Sequence, residues 1–206
     1  MKSAYPLVIT SKKLVLYSFI LLMSHCKDTY DNTNAAADLQ VPAFTETGAN
    51  TFGCLVNGAA WANFGEDYIP SELGGGTLRP NLVSGSFQLN ASNGDSVYYA
   101  TAALTISKKG TNIRQEIMLI NVPKSGNMVG VHQLTSSNYL FSYSNFVTGI
   151  TYSSLIRNPF SVAIKKDSIT TYPNHIVSGT FSGTLYNKDQ TDSVRIVGGV
   201  FDTLVQ

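Results

Sequence analysis

Tyr139, Phe141 and Tyr143 recur two residues apart, which on a β-strand puts three rings on one face. Such a row can stack against sugar rings, and it is the candidate ligand-binding surface of this chain. The same row also suits a core or a barrel interior, because aromatic side chains carry a large apolar area. His132 shares a strand face with Met128 and Leu134. A metal site needs three or four suitable donors, and no His-x-His or acidic partner lies near it in sequence. A hydrogen-bonded core histidine is the expectation, and no metal or other cofactor is expected. His175 follows Pro173-Asn174 and reads as a solvated loop residue. Cys54 sits among apolar residues and reads as a small buried hydrophobe. A catalytic thiolate would need a neighbouring cation, and no histidine context points at it.

The acids offer little chemistry. Glu66-Asp67, Asp189 and Asp192 fall in loop-like stretches where carboxylates serve solubility and Asx bonding. Two carboxylates could hydrolyse a glycosidic bond only if the fold fixed them roughly 5 Å or 6.5–9.5 Å apart. Neither a Gly-x-Ser-x-Gly, a His-Glu-x-x-His nor a Walker sequence occurs. Gly74-Gly-Gly76 lacks the Lys-Ser/Thr that a phosphate loop requires. No catalytic residue is therefore assigned. Asp95-Ser-Val, Asp167-Ser-Ile, Asp192-Ser-Val and Asp202-Thr-Leu resemble an Asp-Ser/Thr-apolar O-glycosylation sequon, although the same triplet hands a turn over to a strand.

Cys26 has a context of its own. Lys12-Lys13 leads into the apolar run Leu14–Met23, which ends at Ser24-His25-Cys26. A basic stretch before a short apolar core is an export signal, and the run is too short for a spanning helix of about 20 residues. A cysteine at the cleavage point resembles a bacterial lipoprotein signal, in which that thiol is acylated and becomes the mature N-terminus. Residues 1–25 are then a signal peptide, and Cys26 is the lipidation site. Removing them takes away Lys2, Lys12 and Lys13, so 11 basic residues face 13 acidic ones, a charge of −2. No basic surface remains for nucleic acid, whose affinity comes mainly from phosphate neutralisation.

The elements follow from periodicity. Residues 26–50 show neither a strand nor a helix period and predict a flexible tether; residues 27–50, as a coil, would hold the rest roughly 25–30 Å from the anchor. From Thr51 to Gln206 the pattern alternates. Phe87-x-Leu89-x-Ala91, Tyr98-x-Ala100-x-Ala102-x-Leu104-x-Ile106, Phe160-x-Val162-x-Ile164 and the Val177, Phe181, Leu185 series each mark one apolar face. Ile117–Val122 is apolar on both faces and predicts a central strand. Asn57-Gly58, Ser92–Asp95, Lys108–Asn112, Pro123–Asn127 and Lys188–Asp192 supply turn chemistry between these runs. Residues 65–80 read as one long irregular loop. Gly179 and Gly183 flank Phe181 and predict room for a ring or a bend. The expected fold is all-β: one antiparallel domain of about ten strands, either a β-sandwich or a meandering, partly closed β-barrel.

Thr47–Trp61, with Thr51-Phe-Gly-Cys-Leu-Val-Asn-Gly58 at its centre, resembles the start of a Bacteroidota-type family of uncharacterised lipoproteins. Ile176–Asn187 and Asp192–Asp202 are similar to that family's C-terminal end, except that Val200 stands where members carry arginine. Lys27-Asp28 resembles the surface-export signals of such lipoproteins. The resemblance implies an outer-membrane lipoprotein, facing the periplasm or the cell surface and attached through its lipid, with an all-β domain and no assigned reaction. The resulting expectation is a non-catalytic envelope module that binds a glycan or an envelope protein. The alternative is an envelope glycan hydrolase whose carboxylates meet only in the fold.

Overall fold

The computed structural model describes residues 30–70, 76–89, 95–124, 126–135, 139–155, 158–169 and 174–205. Among the described residues, apart from a short helix α1 (Thr33–Ala37), the regular elements are strands. In order they are β1 (Thr51–Val56), β2 (Ala59–Ala62), β3 (Glu66–Pro70), β4 (Gly76–Pro80), β5 (Ser84–Leu89), β6 (Ser96–Lys108) and β7 (Thr111–Pro123). They continue with β8 (Gly130–Leu134), β9 (Phe141–Asn145), β10 (Ile150–Ser153), β11 (Phe160–Ile169), β12 (His175–Asn187) and β13 (Ser193–Val205).

Eleven strands form one antiparallel sheet in the order β2-β1-β13-β12-β10-β9-β7-β6-β5, with β11 and then β8 branching from β12. The sheet curls strongly into a half-barrel. The curl brings β6 across the interior to β13, where Tyr98 Oη lies 2.6 Å from Thr203 Oγ1. Gly85 on β5 faces the same hydroxyl, and a Cβ there would sit 2.9 Å from Thr203 Oγ1. The all-β expectation is met, in the curled form rather than as a flat pair of sheets. The described part of residues 65–80 differs from expectation: β3 and β4 pair there as a separate two-stranded sheet.

Two of the expected turns follow their chemistry. Asn57 and Gly58 carry φ of 50° and 86°, and Lys109 and Gly110 carry 52° and 76°, the doubly positive pattern that matches strand twist in two-residue hairpins.

Alternation places one row of each strand inside. Tyr98, Ala100, Ala102 and Leu104 are buried, as are Phe160, Val162 and Ile164, and the β7 row Met118, Ile120 and Val122. Leu89 breaks its expected row and is 73% exposed. The centre is aromatic: Phe52, Phe141, Phe160, Phe181 and Phe201 lie 4.1–6.4 Å apart between ring centroids. Fully burying each ring contributes about 1.5–3 kcal/mol. Glycines make room for them: a Cβ on Gly183 would approach Phe160 Cδ2 to 2.6 Å, and one on Gly199 would strike the Phe181 ring.

The stretch expected as a tether, residues 26–50, is described from residue 30 onward. Residues 30–50 wrap the outside of the sheet as a strap. β5 pairs only the first half of β6, and beyond it the β6 edge is capped by other segments. Asn32 N donates to Ser107 O, Ser107 N donates to Asn32 Oδ1, and Thr105 N donates to Phe64 O. Asp202 anchors the far part of the strap. Its carboxylate accepts Thr45 Oγ1 at 2.6 Å and the N–H groups of Thr47, Gly48 and Ala49 at 2.9–3.1 Å. Burial raises the Asp202 pKa, but the Thr45 hydroxyl and these amides outweigh it and hold the carboxyl below its usual range.

Candidate functional site

The aromatic row is not an open platform. Phe141 is fully buried and stacks on Phe160 at 4.1 Å, while Tyr143 is 5% exposed and stacks on Tyr152. Tyr139 is half-buried against the core, and its hydroxyl donates to Asp95 Oδ2 at 2.7 Å. The three side chains do share a face, but that face is the interior. A sugar stacking on all three would have to displace the core.

The chemistry that the fold does assemble sits around two carboxylates near opposite ends of β7. Glu116 continues the inward row of Met118, Ile120 and Val122, and is 3% exposed. Arg114 grips it with a two-pronged contact, Nε to Oε1 at 2.8 Å and Nη2 to Oε2 at 3.0 Å. Trp61 Nε1 donates to Oε2 at 2.9 Å, and Asn145 Nδ2 donates to Oε1 at 3.3 Å. With four donors on two oxygens, the carboxylate is satisfied as buried charge demands. Burial, and then the Glu116 charge, push the Tyr143 hydroxyl well above its ordinary value. The same two causes push the Cys54 thiol up to about 12. Cys54 therefore stays protonated, its Sγ 3.7 Å from Met118 Sδ, and has no thiolate to offer.

The second carboxylate is Asp167 on β11. Its Oδ1 lies 2.5 Å from His175 Nε2 on β12, while Oδ2 accepts Met128 N at 2.8 Å and faces Lys124 Nζ at 3.4 Å. Lys124 also stands 4.5 Å over the Phe87 ring, and Phe87 packs 4.8 Å from the His175 ring. Burial raises the Asp167 pKa; the Met128 amide, the His175 bond and the two neighbouring cations outweigh it and hold the carboxyl low. A carboxylate that fixes an imidazole is half of a general-base arrangement. Among the described residues, no serine, threonine or cysteine hydrogen-bonds His175 to complete it.

Glu116 and Asp167 do not form a hydrolytic pair. Asp167 is held by Lys124, eight positions along the chain from Glu116, and at about 3.3 Å per residue that is on the order of 25 Å. Glycosidase carboxylates work at less than half that separation. Among the described residues, no group of three His, Cys, Asp or Glu could hold a metal ion.

The other expected residues fall as follows. His132 is half-buried on β8 with Nε2 2.7 Å from Met128 O. His175, read from sequence as solvated, instead reaches Asp167. Thr203 is fully buried and donates to Val177 O, so the Asp202-Thr203 triplet offers no accessible hydroxyl, whereas Ser96 and Ser193 are exposed. Cys26 and the 1–25 signal lie outside the described residues. Two concave surfaces lie on the outer face: an open groove of about 290 Å³ over Ser161, Thr180, Ser182 and Gly198, and another of about 530 Å³ over Leu55, Val197 and Arg195.

Sequence reasoning missed Glu116, Arg114 and the Asp167–His175 pair. Arg114 and Glu116 carried a signal, because they extend the alternate row ending in Met118, Ile120 and Val122. The Asp167–His175 contact spans a β11–β12 connection and left no comparable pattern. Comparison with protein-family models, with curated proteins and with solved structures found no match.

Proposed function

We propose that this chain is a lipid-anchored protein of the bacterial cell envelope that works by presenting its outer surface to another envelope component, without catalysis. The export signal and Cys26 support the anchor. The observation that carries the non-catalytic part is the filled interior: five phenylalanines pack its centre, and its two ends are closed by carboxylates already engaged by their own side chains and amides. The packed rings leave the outer grooves and hairpins as the surface on which a binding partner is met. Growth with a tagged fatty acid should label the protein, and Cys26→Ser should abolish the label. Turnover of glycan or ester substrates by the purified protein, lost on a single acidic substitution, would overturn the non-catalytic reading.

One observation favours the hydrolase alternative, namely the Asp167–His175 contact. On that reading His175 serves as base for a hydroxyl or water brought by the substrate. Hydrolysis that disappears in His175→Gln while folding is retained would establish it.

A further inference from the structure

Two hairpin tips share one pole of the half-barrel. The β9–β10 turn starts at Phe146, whose N–H donates to Gln115 O at 2.8 Å, so this turn runs beside the residues of β7 that lead back to the β6–β7 turn. Together they expose Phe146 and Val147, at 57% and 56%, with Ile113 and Ile150 beside them. A contiguous apolar cluster of this kind on a protein exterior marks a contact surface. Lys108 and Lys109 are exposed on the neighbouring turn, with Asp31 as the carboxylate close enough to feel both.

The chain itself identifies what this pole faces. Gly110 N, in the same β6–β7 turn, donates to Tyr30 O at 2.9 Å, so the strap begins at this tip and runs away from it. Cys26 is four residues upstream of Tyr30. Four residues reach at most about 14 Å even when fully extended. An acyl chain on Cys26 therefore brings the bilayer surface to this pole and to no other. Leu89 is more exposed still, but it lies at the opposite pole, where Lys124 N bonds Ser96 O.

We propose that this pole docks directly on the phospholipid surface, with Phe146, Val147 and Ile150 in the interfacial layer and Lys108 and Lys109 against anionic headgroups. The proposal rests on the lipid-anchor reading above. It replaces a domain held at the end of a long tether with one seated on the membrane by its own tips. Apolar side chains that insert into the headgroup boundary and cations that meet anionic lipid are the two contributions that seat a peripheral surface.

The test uses the acylated protein reconstituted in phosphatidylethanolamine–phosphatidylglycerol vesicles, carrying an environment-sensitive fluorophore at Val147→Cys or at Leu89→Cys. Cys54 is buried and unreactive, and acylation occupies the thiol of Cys26. The label at 147 should be blue-shifted and quenched by lipid-borne nitroxides, and the label at 89 should be neither. Lys108→Glu with Lys109→Glu should reduce the quenching at 147 more in these vesicles than in phosphatidylcholine. Equal, water-like signals at 147 and 89 in a protein that carries fatty acid overturn the docking. A label at 147 that is shielded in whole envelopes but wet in vesicles overturns it in favour of a protein partner. If no fatty acid is found, the anchor reading fails. The same labelled pair on the unacylated protein, with Cys26→Ser so that the fluorophore reports one site, then tests the tips alone: quenching at 147 above that at 89 supports docking, and equality overturns it.

Discussion

The two interior carboxylates are buried alike but are neutralised by different means. Glu116 is surrounded by an arginine fork, an indole N–H and a carboxamide, none of which changes charge in the ordinary pH range. Asp167 leans on a histidine and a lysine, together with one backbone amide. The Glu116 cluster thus cross-links β2, β7 and β9, whereas Asp167 ties β11 to β12 and to the segment that carries Lys124 and Met128. One acid staples strands through side chains alone, while the other, in the same fold, leans partly on a backbone amide.

The comparison breaks most directly at Glu116. Glu116→Ala leaves the guanidinium, the indole N–H and the Asn145 amide without their acceptor, and should cost about 3–5 kcal/mol in denaturant unfolding. Replacing Arg114 and Glu116 together by leucine should recover much of that loss; no recovery would show that the pair does more than cancel its own charge.

Next in size is the strap. Asp202→Ala removes the acceptor for Thr45 and three backbone amides, at about 2–3 kcal/mol. Hydrogen exchange at Thr47, Gly48 and Ala49 should rise before the β12–β13 ladder opens. Simultaneous opening would mean that the strap is integral to the sheet.

Acid sharpens the contrast further. Asp167 and Asp202 both have folded-state pKa values below the unfolded one, so their stabilisation is fully present above the unfolded value, near 4, and is lost as pH falls through the folded value. The contribution of these two carboxylates should therefore be constant down to about pH 5 and drop below about 4. Asp167→Asn should flatten that drop while lowering stability at pH 7. A drop of the same steepness in the variant would remove Asp167 from the account.

The smallest effect is expected at Lys124, whose ion pair and ring contact are partly exposed. Lys124→Met should cost about 0.5–1 kcal/mol. A thermal melt that shows no loss would reduce the Asp167 cluster to its histidine and its amide.

The strands were readable because alternation is a local signal. The rows through Tyr98 and Phe160 lie inside, and the central position of Ile117–Val122 follows from β7 standing between β6 and β9. The shared face of Tyr139, Phe141 and Tyr143 was also readable. Which side of the sheet that face occupies was not, since period two fixes a relation among residues and says nothing about direction. The strap was hidden for another reason. Apart from Leu39 it buries few large apolar side chains and is held by Asn32 and Asp202. Those bonds link residues 75 and 154 apart, and a composition window cannot register them. The same distance concealed Trp61 beside Glu116.

The pairing of β1 with β13 has a temporal consequence. The second-lying edge of β1 is completed by the last strand, with Thr51 opposite Asp202 and the Asn50 side chain accepting Leu204 N. Synthesis from the N-terminus leaves that early hairpin waiting for a mate some 150 residues downstream. Ring closure over such a span is slow, because its entropy is lost before any long-range contact compensates. Nascent chains cut short before β13 should therefore remain sensitive to protease, however complete their earlier hairpins.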